Sequence, residues 1–488
     1  MKTVLHRVCL SFALALCAVG LVACGGGNTS VTTLLCSTTP DCSVTGPTVG
    51  APFLQKVNNL EVTVDSGPAN LFSMPTNVLY ASVTVCAPGA RPTDLPRAKC
   101  ATIDHVQVDT GSVGLRILAS KVAALGLVPV ELAASAGTAG VAGQAHECYP
   151  FVVGGLWGPT AVADVGLGEQ WATALPIQLI QDDPAAAVQA PLDCYNAVNG
   201  QVLGSASALG SNGILGIGSV TLDCGKLCLD SHYVNSYVQY YSCPPAASSA
   251  LQCRPAAVAA NLQVFNPVAA LGKDPGNNNL ADNNGVVLVL PAIPEGGAAK
   301  VNGELIFGIN TRNTDASKRS VSNQLSLGAN RIQLGVDWQN NLSAHGFDSY
   351  LSVTTQYNGN TIYNSYLDTG TNGLFFSDSS ITRCSAPAPG EASWYCPLSA
   401  LSKLASVSDG DRPGQNVAQV FFTVGNAGTL AQSITALAGM AGAPATSASS
   451  AASFSWGLPF FYGRRVSLSI WDPAARDPLF ASSPWYSF

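Results

Sequence analysis

Along much of the chain apolar and polar residues alternate over short stretches, which is the period of a half-buried strand. From Phe53 onward the pattern is plain in LEVTVDSG from Leu60, NVLYASVTVC from Asn77 and HVQVDTG from His105. RILASKVAAL from Arg116 and WATALPIQLIQ from Trp171 fit either a short helix or a strand. A second strand-rich half opens near GELIFGINT, Gly303 to Thr311. Long helix-period segments are few, so the pattern predicts an all-β protein with few short helices. PPAASSALQCRPAAVAA (244–260) and AGMAGAPATSASSAAS (438–453) are compositionally biased and read as surface loops or insertions.

Length and composition sharpen this picture. At 488 residues the chain is too long for one ordinary core and long enough for two lobes. Its 48 Gly and 30 Pro favour many turns. Net charge is -7, with no Lys/Arg cluster able to track a phosphate backbone, so nucleic acid is a poor partner. The first residues have a basic start, Lys2 and Arg7, and then an apolar stretch of signal-peptide length, too short and too early for a spanning helix. The stretch ends in LVAC, which resembles a bacterial lipobox; the resemblance implies cleavage before Cys24 and lipidation of that cysteine. The alternative is an ordinary signal peptide that ends near a cysteine. Gly25 rather than Asp follows, which by the usual sorting pattern favours the outer membrane in a cell with two. The expected organisation is a signal peptide at 1–23, lipidated Cys24 and a tether at 24–52, an N-terminal lobe at 53–300 and a C-terminal lobe at 301–488.

Twelve of the 15 cysteines lie beyond Cys24, an even number that reads as disulfides in an exported chain. Pairing by proximity gives Cys36–Cys42, Cys86–Cys100, Cys148–Cys194, Cys224–Cys228, Cys243–Cys253 and Cys384–Cys396, with the connectivity inside 224–253 left open. CGKLC lacks the C-x-x-C spacing of a redox motif, and an oxidising compartment argues against metal.

Only 10% of the residues are charged, yet Asp109 interrupts an apolar run. DTGSVGL at Asp109–Leu115 recurs as DTGTNGL at Asp368–Leu374, identical at five of seven positions. Each copy follows a strand-like segment (HVQV, IYNSYL) and precedes an apolar one, and the copies lie about half the chain apart. Two related lobes would each contribute one Asp. Two carboxyls brought face to face cannot both ionise easily, so one keeps its proton. The pair then offers a base to a water and an acid to a carbonyl oxygen. Gly111 and Gly370 permit close backbone approach; Ser112 and Thr371 are placed to donate hydrogen bonds to the carboxylates.

These motifs resemble those of bilobal pepsin-like aspartic peptidases, in a bacterial lipoprotein form, over most of residues 55–488. The resemblance implies a two-lobed acid-protease fold with a central cleft and Asp109 and Asp368 as the catalytic pair. It also implies Thr110 and Thr369 cross-linking the Asp loops from beneath. In the first lobe SNGILGIG, Ser211–Gly218, places Ile214, Leu215 and Gly216 as the segment that braces the Asp loop. In the second, FSWGLPFFYGRRVSLSIWD has Ser455, Trp456 and Gly457 where two apolar residues and a glycine are usual, and GELIFGIN resembles the segment opening that lobe. A flap is expected within His146–Gly168, with Tyr149, Phe151 and Trp157 as candidates, although the family's Y-G-T/S-G string is absent. Between Cys24 and Asn58 only Lys56 is basic, so a basic prosegment is missing from that stretch.

The implied reaction is hydrolysis of a peptide or protein substrate by activated water, without metal or cofactor, by a membrane-anchored monomer. The rival is a non-catalytic lipoprotein holding a peptide or envelope component in the same cleft, with Asp109 and Asp368 reduced to turn residues. A weaker third reading is a surface-structural role for the insertion between Cys194 and Cys253. No G-x-S-x-G or H-E-x-x-H motif supports a serine or zinc hydrolase. His105 is expected to meet solvent or a polar partner, Arg464–Arg465 to form a turn or surface pair, and the C-terminal aromatics to line core or cleft.

Overall fold

In the computed structural model the described residues are 57–488, apart from 70, 94–98, 134–141, 184, 186–187, 230–238, 245–252, 273–280, 313–320, 326–330, 336–350, 385–392, 411–413, 431–433, 445–452 and 473–483. The signal-peptide and tether readings, Cys24 and the Cys36–Cys42 pair lie outside them.

The alternating segments are strands. Asn59–Val64, Leu79–Cys86 and Cys100–Asp109 bury their apolar positions and leave most polar ones partly or fully exposed, Asn59 and Asp109 excepted. The two ambiguous segments resolve differently. Gln170–Ile180 is one long strand, whereas the Arg116 segment finishes the strand Val113–Leu118 and then forms a single helical turn, Ala119–Val122. The described strands join into networks of 17 and 8, and the longest α-helix among the described residues is Leu192–Ala197. The result is an all-β fold with few short helices among the described residues.

An antiparallel layer ties early and late parts of the chain together. Asn59–Val64 pairs with Val301–Phe307, which pairs with Gly285–Val289, then Arg465–Ser469, Trp485–Ser487 and Arg331–Gln333. Val62, Val286, Leu305, Phe307, Leu468 and Tyr486 put this layer into the main core. GELIFGIN thus serves as a shared platform strand.

The internal repeat is also structural. Cys100–Asp109 runs parallel to Gly213–Ile217, which runs antiparallel to Val113–Leu118. Asn360–Leu367 runs parallel to Ser453–Trp456, which runs antiparallel to Leu374–Phe375. Each Asp loop therefore leaves one strand and enters another, with a third strand hydrogen-bonded to both. Parallel pairing needs a long connection, which is why Gly213 and Ser453 come so much later than the Asp they support.

Both biased segments depart from the surface-loop reading. Within 438–453, Ala441–Ala443 is a buried strand against Leu374–Phe375 and Ser393–Trp394. Its small residues are a packing requirement: a Cβ on Gly442 would come within 2.7 Å of the Ser393 carbonyl. Within 244–260, Cys253 and Val258 are buried. Arg464 and Arg465 are also half-buried: Arg464 stacks 4.5 Å from the Phe460 ring centroid and Arg465 donates to the Ser322 carbonyl. His105 lies between Asp104 and Asp65, at 2.8 and 3.4 Å.

Five disulfides join Cys86–Cys100, Cys148–Cys194, Cys224–Cys228, Cys243–Cys253 and Cys384–Cys396, the proximity pairing throughout the described residues. Cys148–Cys194 closes the longest loop, with a sequence separation of 46 against 4 for Cys224–Cys228. Chain-entropy reasoning gives about 4 kcal/mol for the longer and about 2 for the shorter. Paired Cys→Ala substitution at 148 and 194 is expected to cost about twice as much as at 224 and 228, read as a lower denaturant midpoint.

Candidate active site

Asp109 is the last residue of its strand, level with Gly216 on the neighbouring strand. Asp368 follows Leu367, and its N–H donates to the Trp456 carbonyl at 2.9 Å. Ile214, Leu215 and Gly216 are in register with Gln107, Val108 and Asp109. In the second lobe Ser455 and Trp456 are in register with Tyr366 and Leu367. The bracing positions therefore correspond, although Trp456 is far larger than Leu215. Its bulk is accommodated by an aromatic cluster: Phe454 stacks on it with centroids 4.2 Å apart, Phe422 and Phe460 meet it edge-on, and its Nε1 donates to Thr355. Gly216 and Gly457 lie tight against the loops they brace. A Cβ on Gly457 would fall 2.5 Å from the Thr371 carbonyl, and one on Gly216 2.7 Å from Val113 N.

The loops are locked to each other by two threonines. Thr110 N–H donates to Thr369 Oγ1 and Thr369 N–H to Thr110 Oγ1, both at 3.0 Å. Each hydroxyl then donates to the carbonyl preceding the opposite Asp, Thr110 to Leu367 at 3.1 Å and Thr369 to Val108 at 2.7 Å. Both threonines are buried. A buried amide without its acceptor costs about 1–3 kcal/mol, so a hydroxyl is needed at both positions.

This lock brings the two carboxyls together. A Cβ on Gly111 would meet the Asp368 carboxyl carbon at 2.7 Å, and a Cβ on Gly370 would meet Asp109 Oδ1 at 2.5 Å. Each glycine is thus the floor for the other loop's carboxyl. Within each loop the glycine N–H donates to its own Asp, Gly111 to Asp109 at 2.8 Å and Gly370 to Asp368 at 2.7 Å. The Thr371 hydroxyl donates to Asp368 at 2.6 Å. Ser112 Oγ is buried near Asp109 without a well-formed hydrogen bond, so the two loops are not identical.

Burial, and then the charge of Asp368, raise the Asp109 carboxyl far above the carboxylate range, to about 8. The pair can therefore hold one proton and one negative charge side by side.

The flap candidates share one hairpin, Gly143–Phe151 with Gly154–Leu167. Tyr149 and Phe151 pack on each other near its tip and against Leu118, Leu156 and Ile214. Val152 and Val153 are exposed at the turn. Trp157 turns the other way, buried between His146 and Tyr241 beside Cys148–Cys194.

Three supporting residues escaped the sequence reading. Gln107 Nε2 donates across to the Gly370 carbonyl at 3.1 Å. Tyr486 donates from the platform to the Leu367 carbonyl at 2.7 Å. Buried Asn77 donates to the carbonyls of Asn372 and Leu437, both at 2.9 Å, and accepts from Leu437 N–H. Gln107 had one sequence signal, a polar residue alternating inside VQVD; the other two act across distances that no local pattern reveals.

In the folded chain Asp109 keeps its proton at pH values where an unfolded carboxyl, near 4, has lost it. Its contribution to stability is complete below about pH 4 and is lost as pH rises through about 8. Asp109→Asn cannot titrate. Its thermal midpoint relative to wild type is expected to rise steadily across that window and to level off on either side, measured by calorimetry from pH 3 to 9.

The chain belongs to the family described as "Protein of unknown function (DUF3443)", whose model matches residues 55–488. No curated protein matches it. Among solved structures it is similar to the crystal structure of aspartic proteinase from Irpex lacteus, with 14% identity and a TM-score of 0.41, over 88% of this chain and 96% of that one.

Proposed function

We propose that the protein is an aspartic-type endopeptidase that hydrolyses peptide bonds with a water activated between Asp109 and Asp368. The observation that carries this reading is the meeting of the two D-T-G loops, each carboxyl seated against the other loop's glycine. Asp368, already accepting from Gly370 N–H and the Thr371 hydroxyl, acts as the base. It takes a proton from the water, whose oxygen bonds to the substrate carbonyl carbon. Asp109 gives its proton to the carbonyl oxygen. Collapse of the tetrahedral species breaks the C–N bond, and the departing nitrogen receives the proton held by Asp368. As the C=O bond re-forms, one hydroxyl of the tetrahedral species returns its proton to Asp109, which restores the starting state. Every proton is accounted for by the two carboxyls, the water and the substrate.

A binding cleft without catalysis is the second reading. It is favoured by the looser seat of Asp109, where the Ser112 hydroxyl makes no well-formed hydrogen bond while Thr371 donates to Asp368 at 2.6 Å.

Purified soluble protein (residues 25–488) is expected to cleave a mixed peptide library, with activity falling as pH rises through the range where Asp109 deprotonates. Asp109→Asn and Asp368→Asn should each lose about 10²-fold or more, the usual size of a general acid–base contribution. Peptide binding without cleavage at any pH, by correctly oxidised protein, would favour the second reading.

We also propose export and lipid anchoring through Cys24, supported by the LVAC string and the apolar stretch before it. Cys24→Ser is expected to move the protein from the membrane fraction to the soluble fraction after cell disruption, with wild type retained in the outer membrane.

A further inference from the structure

Arg116 sits in VGLRIL, a strand buried along its whole length, and its side chain has no exposure. Burying a cation is costly unless it is paired and hydrogen-bonded. Nη1 donates to the Val113 carbonyl at 2.6 Å, at the start of the strand leaving the Asp109 loop. Nη2 donates to Glu147 at 2.7 Å and to Asp223 at 3.2 Å. The guanidinium carbon lies 3.6 Å from the Tyr149 ring centroid. Glu147 and Tyr149 are two residues apart on the hairpin strand and so share a face. Asp223 belongs to the disulfide-rich insertion, beside Cys224–Cys228, and accepts from Gln239 and Tyr240. Gln239 donates to Glu147 as well. One guanidinium thus connects the Asp109 loop, the hairpin and the insertion.

Stability alone does not account for this cluster. Buried ion pairs can often be replaced by apolar residues without loss. Here Arg116 Nε and Glu147 Oε2 stay buried with no partner. What the cluster supplies is geometry, because a planar fork contacts several acceptors and a ring face at once and a lysine cannot. The hairpin base is already held by Cys148–Cys194 and by pairing with Tyr240–Cys243. Nearer the turn it is held by Gly155, whose N–H donates to the Gln201 carbonyl at 2.9 Å and whose carbonyl accepts from Leu203 N–H at 2.8 Å, and by the Tyr149 and Phe151 packing, with Val152 and Val153 exposed.

We propose that Arg116 is a positioning residue that fixes the hairpin tip over the Asp109 loop by clamping Tyr149, and thereby sets how readily substrate enters beneath it. The clamp rests on the peptidase reading for its consequence but not for its test. Amide hydrogen exchange on the oxidised protein reads local opening without substrate. Arg116→Lys and Tyr149→Leu are each expected to speed exchange of residues 149–156 by about tenfold or more, as loss of a desolvated cation–ring contact should. Val106–Thr110 should be unaffected in every variant. Unchanged tip exchange overturns the proposal, and so does equal acceleration of Val106–Thr110, which would mark Arg116 as merely holding the fold. Should Arg116→Lys fail to fold, Tyr149→Leu decides, since it leaves the ion cluster whole. Absence of peptide cleavage would defeat the peptidase reading and leave the exchange result standing.

Discussion

Two buried threonines set the conditions for everything else in this molecule. Thr110 and Thr369 exchange amide-to-hydroxyl hydrogen bonds across the interface between two Asp loops. Without that lock, two carboxyl groups would have no reason to remain adjacent. Like charges repel and the desolvation cost of each is high. The lock fixes the backbone, and burial beside Asp368 then favours the protonated form of Asp109. The raised Asp109 carboxyl is therefore a consequence of the frame. The same frame makes glycine necessary at positions 111 and 370, where a side chain would occupy the opposite carboxyl's place.

Supporting such a frame takes strands from distant parts of the chain. Gly213–Ile217 and Ser453–Trp456 lie alongside the Asp strands in parallel, and an antiparallel set of strands joins early and late parts of the chain. The lobes reach the same geometry with different fillings. One uses small apolar residues around Leu215; the other uses Trp456 set in a ring of phenylalanines. Main-chain register is common to both lobes and core composition is not. The paired geometry of the two Asp loops survives that divergence because the loops depend on register, on threonine and on glycine.

Much of this was legible before any coordinates. The repeated D-T-G, its half-chain spacing and the alternating segments point to the fold and to Asp109 and Asp368. The described disulfides follow from proximity, because cysteines at the ends of short loops have few other partners. Other features were illegible for identifiable reasons. Ala441–Ala443 looked like low-complexity surface because small residues resemble a linker; they are small because the neighbouring strand leaves no room. Asn77 and Tyr486 support the second loop through single hydrogen bonds to main-chain carbonyls, and such bonds leave no periodic trace. Trp157 sits on the same hairpin as Tyr149, but alternation sends it inward to the opposite face.

In a chain with so few charges, a charged residue inside an apolar run invites an explanation wherever it occurs. Asp109 received that scrutiny because a repeat drew the eye to it. Arg116, seven residues later, satisfies the same criterion and has no counterpart in the second copy, where Phe375 and Phe376 follow the motif. The two burials are resolved in opposite ways. Asp109 meets a like charge, so its protonation state becomes the adjustable quantity, which suits chemistry. Arg116 meets opposite charges and a ring face, so its protonation is fixed and its geometry is constrained, which suits mechanical coupling. The asymmetry between lobes then has a physical sense: the Asp109 loop is joined to a hairpin and an insertion through a cation, while the Asp368 loop is supported by an aromatic core. Symmetry is kept at the carboxyls and given up in the packing around them.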